Sequence, residues 1–252
     1  MAIVRRLLAY GSSDAAGGDA YTTLRTADNL VRTNPNAWLL GVVFDQLIPA
    51  ERAWLAPYRL RQRLGHLSIP RLARTTLPEL KGAIRGGPQE PALARYPRQM
   101  AKWIRGAAQH VSEEYSGNAR NIWDQAITAG EVVERLFLVP GISFKKAHMA
   151  TRILHEGDHA FCRRFKRWDQ INVAVDSLVR RVWLRTGLTG DGSTRAIMTA
   201  ASVLHSRYPG ELDYPSWLIG REWCHPKRPA CHGRDGSGPC PLSKLCPQIG
   251  VR

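Results

Sequence analysis

The chain has 252 residues, 44% of them hydrophobic and 23% charged, which is enough to bury a core without disulfide staples. Its formal net charge is +15, and 29 of its 36 basic residues are arginine. Such a chain repels itself unless it meets a polyanion, and nucleic acid is the commonest one. No stretch approaches the ~18 consecutive apolar residues that a membrane span requires. Met1–Tyr10 holds two arginines and a short apolar run, but no signal-peptide core or cleavage site follows. A cytoplasmic protein is expected, nucleoid-associated in a bacterium, where disulfides are rare.

In chain order, residues 11–20 (GSSDAAGGDA) are small and glycine-rich and read as a loop. A helical pattern runs from Tyr21 to Asn34 through Leu24, Ala27, Leu30 and Val31, and Asn34-Pro35 breaks it. Residues 37–44 (AWLLGVVF) are apolar all round, as a buried helix requires. Arginine-rich amphipathic helices are predicted over 50–66 and 70–83, followed by a Pro/Gly-rich connection from Gly86 to Pro97. Further helices are predicted over 98–114, 119–127 and 129–137. Residues 139–143 (VPGIS) form a tight turn into a helix starting near Phe144. The last predicted helices are the run SLVRRVWLR after Asp176, and residues 193–207 and 213–224.

No run alternates strictly, so the expected architecture is all-α, in two helical lobes with a cleft. Residues 1–34 are expected to be an N-terminal segment packing with the second lobe, 35–140 the first lobe, and 141–252 the second.

Three constellations carry chemistry. The first is a cysteine quartet: six residues separate Cys224 from Cys231, eight separate Cys231 from Cys240, and five separate Cys240 from Cys246. Four thiolates converging from one short, proline-stiffened loop suit a soft metal centre, either zinc or an iron–sulfur cluster. Cys162 stands apart and reads as a buried thiol. The second is LVPGISFKKA, residues 138–147: a short turn opening a helix turns backbone N–H groups and a positive dipole end toward a phosphate. The third is Asp176, which is both an obvious N-cap for the helix after it and a carboxylate able to stabilise a developing cation.

Taken in order along the chain, these motifs resemble the helix-hairpin-helix DNA glycosylases, and CHPKRPAC followed by CPLSKLC is similar to the cluster loop of the endonuclease III-like members. The middle cysteine gap is longer here, filled by HGRDGSGP. The resemblance implies a structural [4Fe–4S] cluster on Cys224, Cys231, Cys240 and Cys246, with Lys227 and Arg228 presented to DNA phosphate. It implies a hairpin at Gly141 and Ser143 bound to the DNA backbone, Ser143 standing where the family has its second glycine. Asp176 falls on the family's essential carboxylate and Lys145 on its lyase lysine, leaving Lys146 to face phosphate or solvent. Gln46 falls where a glutamine fills the gap left by an extruded base, with Asp45 departing from the usual residue before it. The stretch from Lys145 to Asp176 is longer than the family's. Much of EGDHAFCRRFKRWDQ (156–170) is therefore an insert that could form a lid, a basic DNA contact or a longer helix.

The implied function is excision of a damaged or mismatched base from duplex DNA by a monomeric glycosylase with DNA in the cleft, Asp176 supporting cleavage and Lys145 adding lyase activity. A monofunctional glycosylase for mismatched or alkylated bases and a non-catalytic iron–sulfur DNA-binding protein are the alternatives.

Overall fold

A computed structural model describes residues 1–16, 21–233 and 238–247. They contain thirteen α-helices, three short 3-10 turns and no sheet, so the all-α expectation holds. The chain divides into two compact units: Asp19–Phe165, and Met1–Gly18 together with Lys166–Arg252.

The Asp19–Phe165 unit is built around α3 (Pro35–Phe44), in which every side chain from Ala37 to Phe44 is buried. A helix enclosed on all sides needs no polar stripe, which explains its uninterrupted apolar sequence. It starts where Asn34 Oδ1 accepts from Ala37 N at 3.0 Å and Pro35 takes the first helical position. Helices α2 (Arg25–Thr33) and α4 (Ala50–Leu64) pack on it, while α5 (Ile69–Arg74) and α6 (Leu77–Arg85) pack on α7 (Pro97–Glu114). The single helix expected over 70–83 is two helices, because Thr76 caps α6 by accepting from Glu79 N and Pro78 opens its first turn. The segment 119–127 retains only the short α8 (Asn121–Asp124).

The unit closes with α9 (Ala129–Phe137) and α10 (Phe144–Glu156), which pack together. Thr128 and Glu131 form a capping box at the start of α9.

The other unit brings the N-terminal helix α1 (Ala2–Gly11) together with α11 (Ser177–Thr186), α12 (Thr194–Leu204) and α13 (Asp213–Glu222). Leu7, Val179, Val182, Trp183, Ile197, Leu212, Ile219 and Leu242 form its core. Trp183 Nε1 donates to Ser216 Oγ at 3.1 Å, so the largest of these side chains buries its polar atom with a partner.

The divisions therefore fall elsewhere than at 34/35 and 140/141. Only the first 18 residues join the cysteine-bearing unit, and both α2 and the hairpin helix α10 belong to the other. The reason is burial: α2 turns Ala27, Leu30 and Val31 inward, and α10 is packed on α9.

Residues 157–165 of the expected insert are neither a lid nor a longer helix. Phe161 is 2% exposed and Phe165 5%. Phe161 stands edge-on to Trp38 with centroids 6.0 Å apart, and its carbonyl accepts from Trp123 Nε1 at 3.0 Å. Arg163 donates to the carbonyl of Asp124 and Arg164 to that of His155, so two of its basic side chains secure local backbone.

Candidate functional site

The hairpin turn between α9 and α10 depends on Gly141. Its φ is +87°, and an added Cβ would lie 2.8 Å from Trp103 Cβ and 3.0 Å from Val43 Cγ1. No other residue satisfies both the left-handed backbone and the close approach. Ile142 N donates to Val139 O at 3.0 Å, and Ser143 caps α10 by accepting from Lys146 N at 3.4 Å. Ser143 is thus the helix cap, and the chain makes its tight turn with serine at this position.

Lys146 does not face phosphate or solvent. It is 2% exposed, and its Nζ donates to Val43 O at 2.9 Å and to Gly141 O at 3.0 Å. The physical reason is its place on the inner side of α10, where its ammonium meets the two carbonyls that let it be buried. Burial pushes its ammonium down to about 8, with the charge of Asp45 opposing and that of Lys145 reinforcing the effect. Lys146 is a staple joining the hairpin turn to the C-terminal end of α3.

Lys145, one position earlier, points differently. Its Nζ lies 3.4 Å from Asp45 Oδ2, with the two side chains 29% and 16% exposed, and 3.9 Å from Met149 Sδ. Asp45 ends α3. Gln46 follows it, partly exposed, and then Leu47, which is 62% exposed with a φ of +56°. Residues about 100 positions apart in the chain thus meet at one place: Val43 and Asp45 from the end of α3, Gly141 from the turn, and Lys145 and Lys146 from α10; Gln46 and Ser143 are their neighbours in the chain. His148, on the same helix, is buried, and burial pushes it down to about 4, so it is neutral at physiological pH. Trp123 is wholly buried in the core, while Tyr96 is exposed at the start of α7.

In the other unit Asp176 is the N-cap of α11. Its Oδ1 accepts from both Leu178 N and Val179 N at 2.8 Å, leaving the second oxygen outside the cap. The carboxylate is therefore fixed in direction by the helix it starts.

The same helix grips the cysteine loop. Arg181 donates to Cys224 O and, at 3.1 Å, to Gly220 O. Arg185 donates to His225 O at 2.7 Å, to Pro226 O at 2.8 Å and to Cys224 Sγ at 3.4 Å. These arginines look from sequence like a solvated helix face; their partners, about 40 residues away, give no local signal. Lys227 and Arg228 lie exposed on the loop between Cys224 and Cys231.

Cys224, Cys231, Cys240 and Cys246 border one small cavity of about 20 Å³, with Arg185, Trp223, Pro229 and Leu242 among the other residues of its wall. Burial pushes the Cys240 thiol up to about 11, with the neighbouring Cys231, Cys224 and Cys246 acting in the same direction and a backbone hydrogen bond at Leu242 opposing them. Among the described residues no group of His, Cys, Asp and Glu is gathered tightly enough to hold a single metal ion. The four soft donors are spread around a space, and one receives a guanidinium hydrogen bond that would offset thiolate charge. This donor set fits an iron–sulfur cluster. Cys162 lies outside it, in the other unit, with its Sγ 3.1 Å from His159 Nδ1. Among the described residues, no helix is long and apolar enough to cross a membrane.

No protein-family model matches the sequence, and no curated protein matches it. Solved structures do match, and they define the class: the chain has the fold of the helix-hairpin-helix DNA glycosylases. It superposes on a trapped endonuclease III–DNA covalent intermediate with a TM-score of 0.67 and 18% identity, over 98% of this chain and 95% of that one. A thermostable thymine-DNA glycosylase matches with a TM-score of 0.62 and 15% identity over 98% and 94%. The 8-oxoguanine DNA glycosylase of Methanocaldococcus jannaschii matches at 0.51 and 14% over 87% and 92%. At these identities the likeness is one of fold.

Proposed function

We propose that this protein is a base-excision DNA glycosylase that removes a damaged or mismatched base from duplex DNA and carries an associated lyase activity. The observation that carries the reading is the junction of hairpin and α3. There a part-exposed lysine amine and a polar α3 tip stand together on a glycosylase fold, over a turn stapled by a second, buried lysine. The net charge of +15 supports a polyanionic partner.

In this reading Lys145 gives up a proton, and its lone pair forms the Nζ–C1′ bond as the C1′–N glycosidic bond breaks. The electron pair leaves with the base, which takes up a proton from solvent. After losing a further proton, the amine opens the sugar ring: the C1′–O4′ pair goes to O4′, which takes up a proton from solvent, and the resulting protonated Schiff base loses its C2′ proton to solvent as the C3′–O bond breaks and the 3′ phosphate leaves. Asp176, oriented by the α11 amides, stabilises the positive charge that builds on the sugar as the base departs. Gln46 fills the space of the extruded base. Gly141, Ser143, Lys227 and Arg228 hold the DNA backbone.

Cys224, Cys231, Cys240 and Cys246 would hold a [4Fe–4S] cluster that clamps the loop bearing Lys227 and Arg228. Four thiolates set around a volume rather than a point would suit such a cluster. Its contribution would be structural, and the residues above carry the reaction.

The test is a panel of duplexes, each with one lesion or mismatch, incubated with the protein and analysed with and without alkali, alongside borohydride trapping. Nicking without alkali and a trapped adduct are expected on at least one duplex, both lost in Lys145→Gln. Nicking only after alkali, with no adduct, would identify a monofunctional enzyme using water. No excision from any duplex would point to a non-catalytic DNA-binding protein.

A further inference from the structure

Asp45 is placed against local electrostatic preference. It sits at the C-terminal end of α3, where the helix dipole is already negative and an acidic side chain is disfavoured. Its side chain is only 16% exposed, and its ion-pair partner is Lys145 Nζ, 3.4 Å away. A part-buried charge that breaks a local rule needs a compensating partner, and such violations mark sites kept for function. The support under it is rigid. Val43, two residues earlier, has its carbonyl held by Lys146, and α3 is buried from Ala37 to Phe44. Lys145 pairs with Asp45, from the end of α3, and its charge and that of Asp45 both act on Lys146, beside it on α10.

We propose that Asp45 is the positioning residue for Lys145: it holds the ammonium at the end of α3 and accepts one of its protons as the amine attacks C1′. The N–H electron pair stays on nitrogen and becomes the Nζ–C1′ bond, while the carboxylate becomes a carboxylic acid. The C1′–N pair leaves with the base, or, on an abasic site, the C1′ hydroxyl leaves as water after taking up a proton from solvent. The proposal rests on Lys145 being the nucleophile, and it adds the group that orients and deprotonates it.

The experiment uses duplex containing a single abasic site, a lyase substrate whatever base the enzyme prefers. Borohydride trapping is followed under single turnover from pH 5 to 9 for the wild type, Asp45→Asn and Asp45→Glu. In parallel, Lys145 of the free proteins is labelled competitively with acetic anhydride and quantified by peptide mass spectrometry. Asp45→Asn is expected to trap about tenfold more slowly, with affinity for the duplex within twofold and unchanged circular dichroism. Its pH profile should change shape, Asp45→Glu should recover at least half of the rate, and Lys145 should acetylate faster in Asp45→Asn.

Wild-type trapping by Asp45→Asn across the pH range would overturn the proposal, as would equal losses in the Asn and Glu variants with unchanged labelling. A wild type that forms no adduct would remove Lys145 as nucleophile and with it the proton-accepting role. Faster acetylation in Asp45→Asn would then still establish that Asp45 holds Lys145, and unchanged acetylation would remove that as well.

Discussion

Replacing Lys146 with methionine tests whether this lysine is a buried staple or a surface contact. The staple reading makes a signed prediction about pH. Burial lowers the folded-state value of Lys146 from 10.5 to about 8, so the unfolded chain binds the proton more tightly than the folded one. Below about pH 8 the lysine is charged in both states and the full penalty is present. As pH rises from 8 toward 10.5 the folded state sheds its proton first, and stability increases until both states are neutral. The full displacement corresponds to roughly 3 kcal/mol, of which about 2.5 is gained by pH 10.

Methionine removes the titration but also leaves Val43 O and Gly141 O without their donor, at about 1–3 kcal/mol for each buried carbonyl. These effects oppose each other at pH 7, so the diagnostic quantity is the slope. Urea unfolding of both proteins at pH 7 and pH 10 isolates it, because thiols and tyrosines common to both cancel in the difference. The wild type should gain roughly 2.5 kcal/mol more than Lys146→Met between the two pH values. Equal gains would refute the buried-staple reading and return Lys146 to the surface.

Other outcomes follow from the site. Asp176→Asn keeps an N-cap nearly as good as aspartate, so it should fold and bind duplex normally while losing at least ~100-fold in single-turnover excision, about 3 kcal/mol of transition-state stabilisation; near-wild-type excision would reduce Asp176 to a cap. Purified protein should be yellow-brown with about four iron per chain. Cys231→Ala should lose both colour and iron, whereas Cys162→Ala, whose thiol sits beside His159 in the other unit, should keep both; a colourless, zinc-bound wild type would refute the cluster. Neutralising Lys227 and Arg228 together should flatten the slope of log affinity against log salt by about one to two. An unchanged slope would place that loop away from DNA.

The all-α architecture and most helix positions were legible because their causes are local. Asn34-Pro35, Thr128 with Glu131, Ser143 and Asp176 each cap a helix through contacts spanning three residues or fewer. Gly141 was legible because a Pro-Gly turn before a helix constrains the backbone by itself. The cysteine quartet was legible through its clustering in the last 30 residues. Whether Lys145 or Lys146 turns outward was not. Adjacent helical residues point about 100° apart, and only packing against Val43 and Gly141 decides which one is buried. The partnership of Asp45 with Lys145 spans 100 residues, and that of Arg185 with the cysteine loop about 40, distances over which no periodicity carries information. The insert's Phe161 was hidden among charges, and its burial depends on Trp38 and Trp123 lying where only the folded chain brings them. Local rules thus determined where helices begin and which residue types could carry chemistry. Long-range burial alone decided which of those side chains meet, because it is the packing of distant apolar faces that brings such residues within bonding distance.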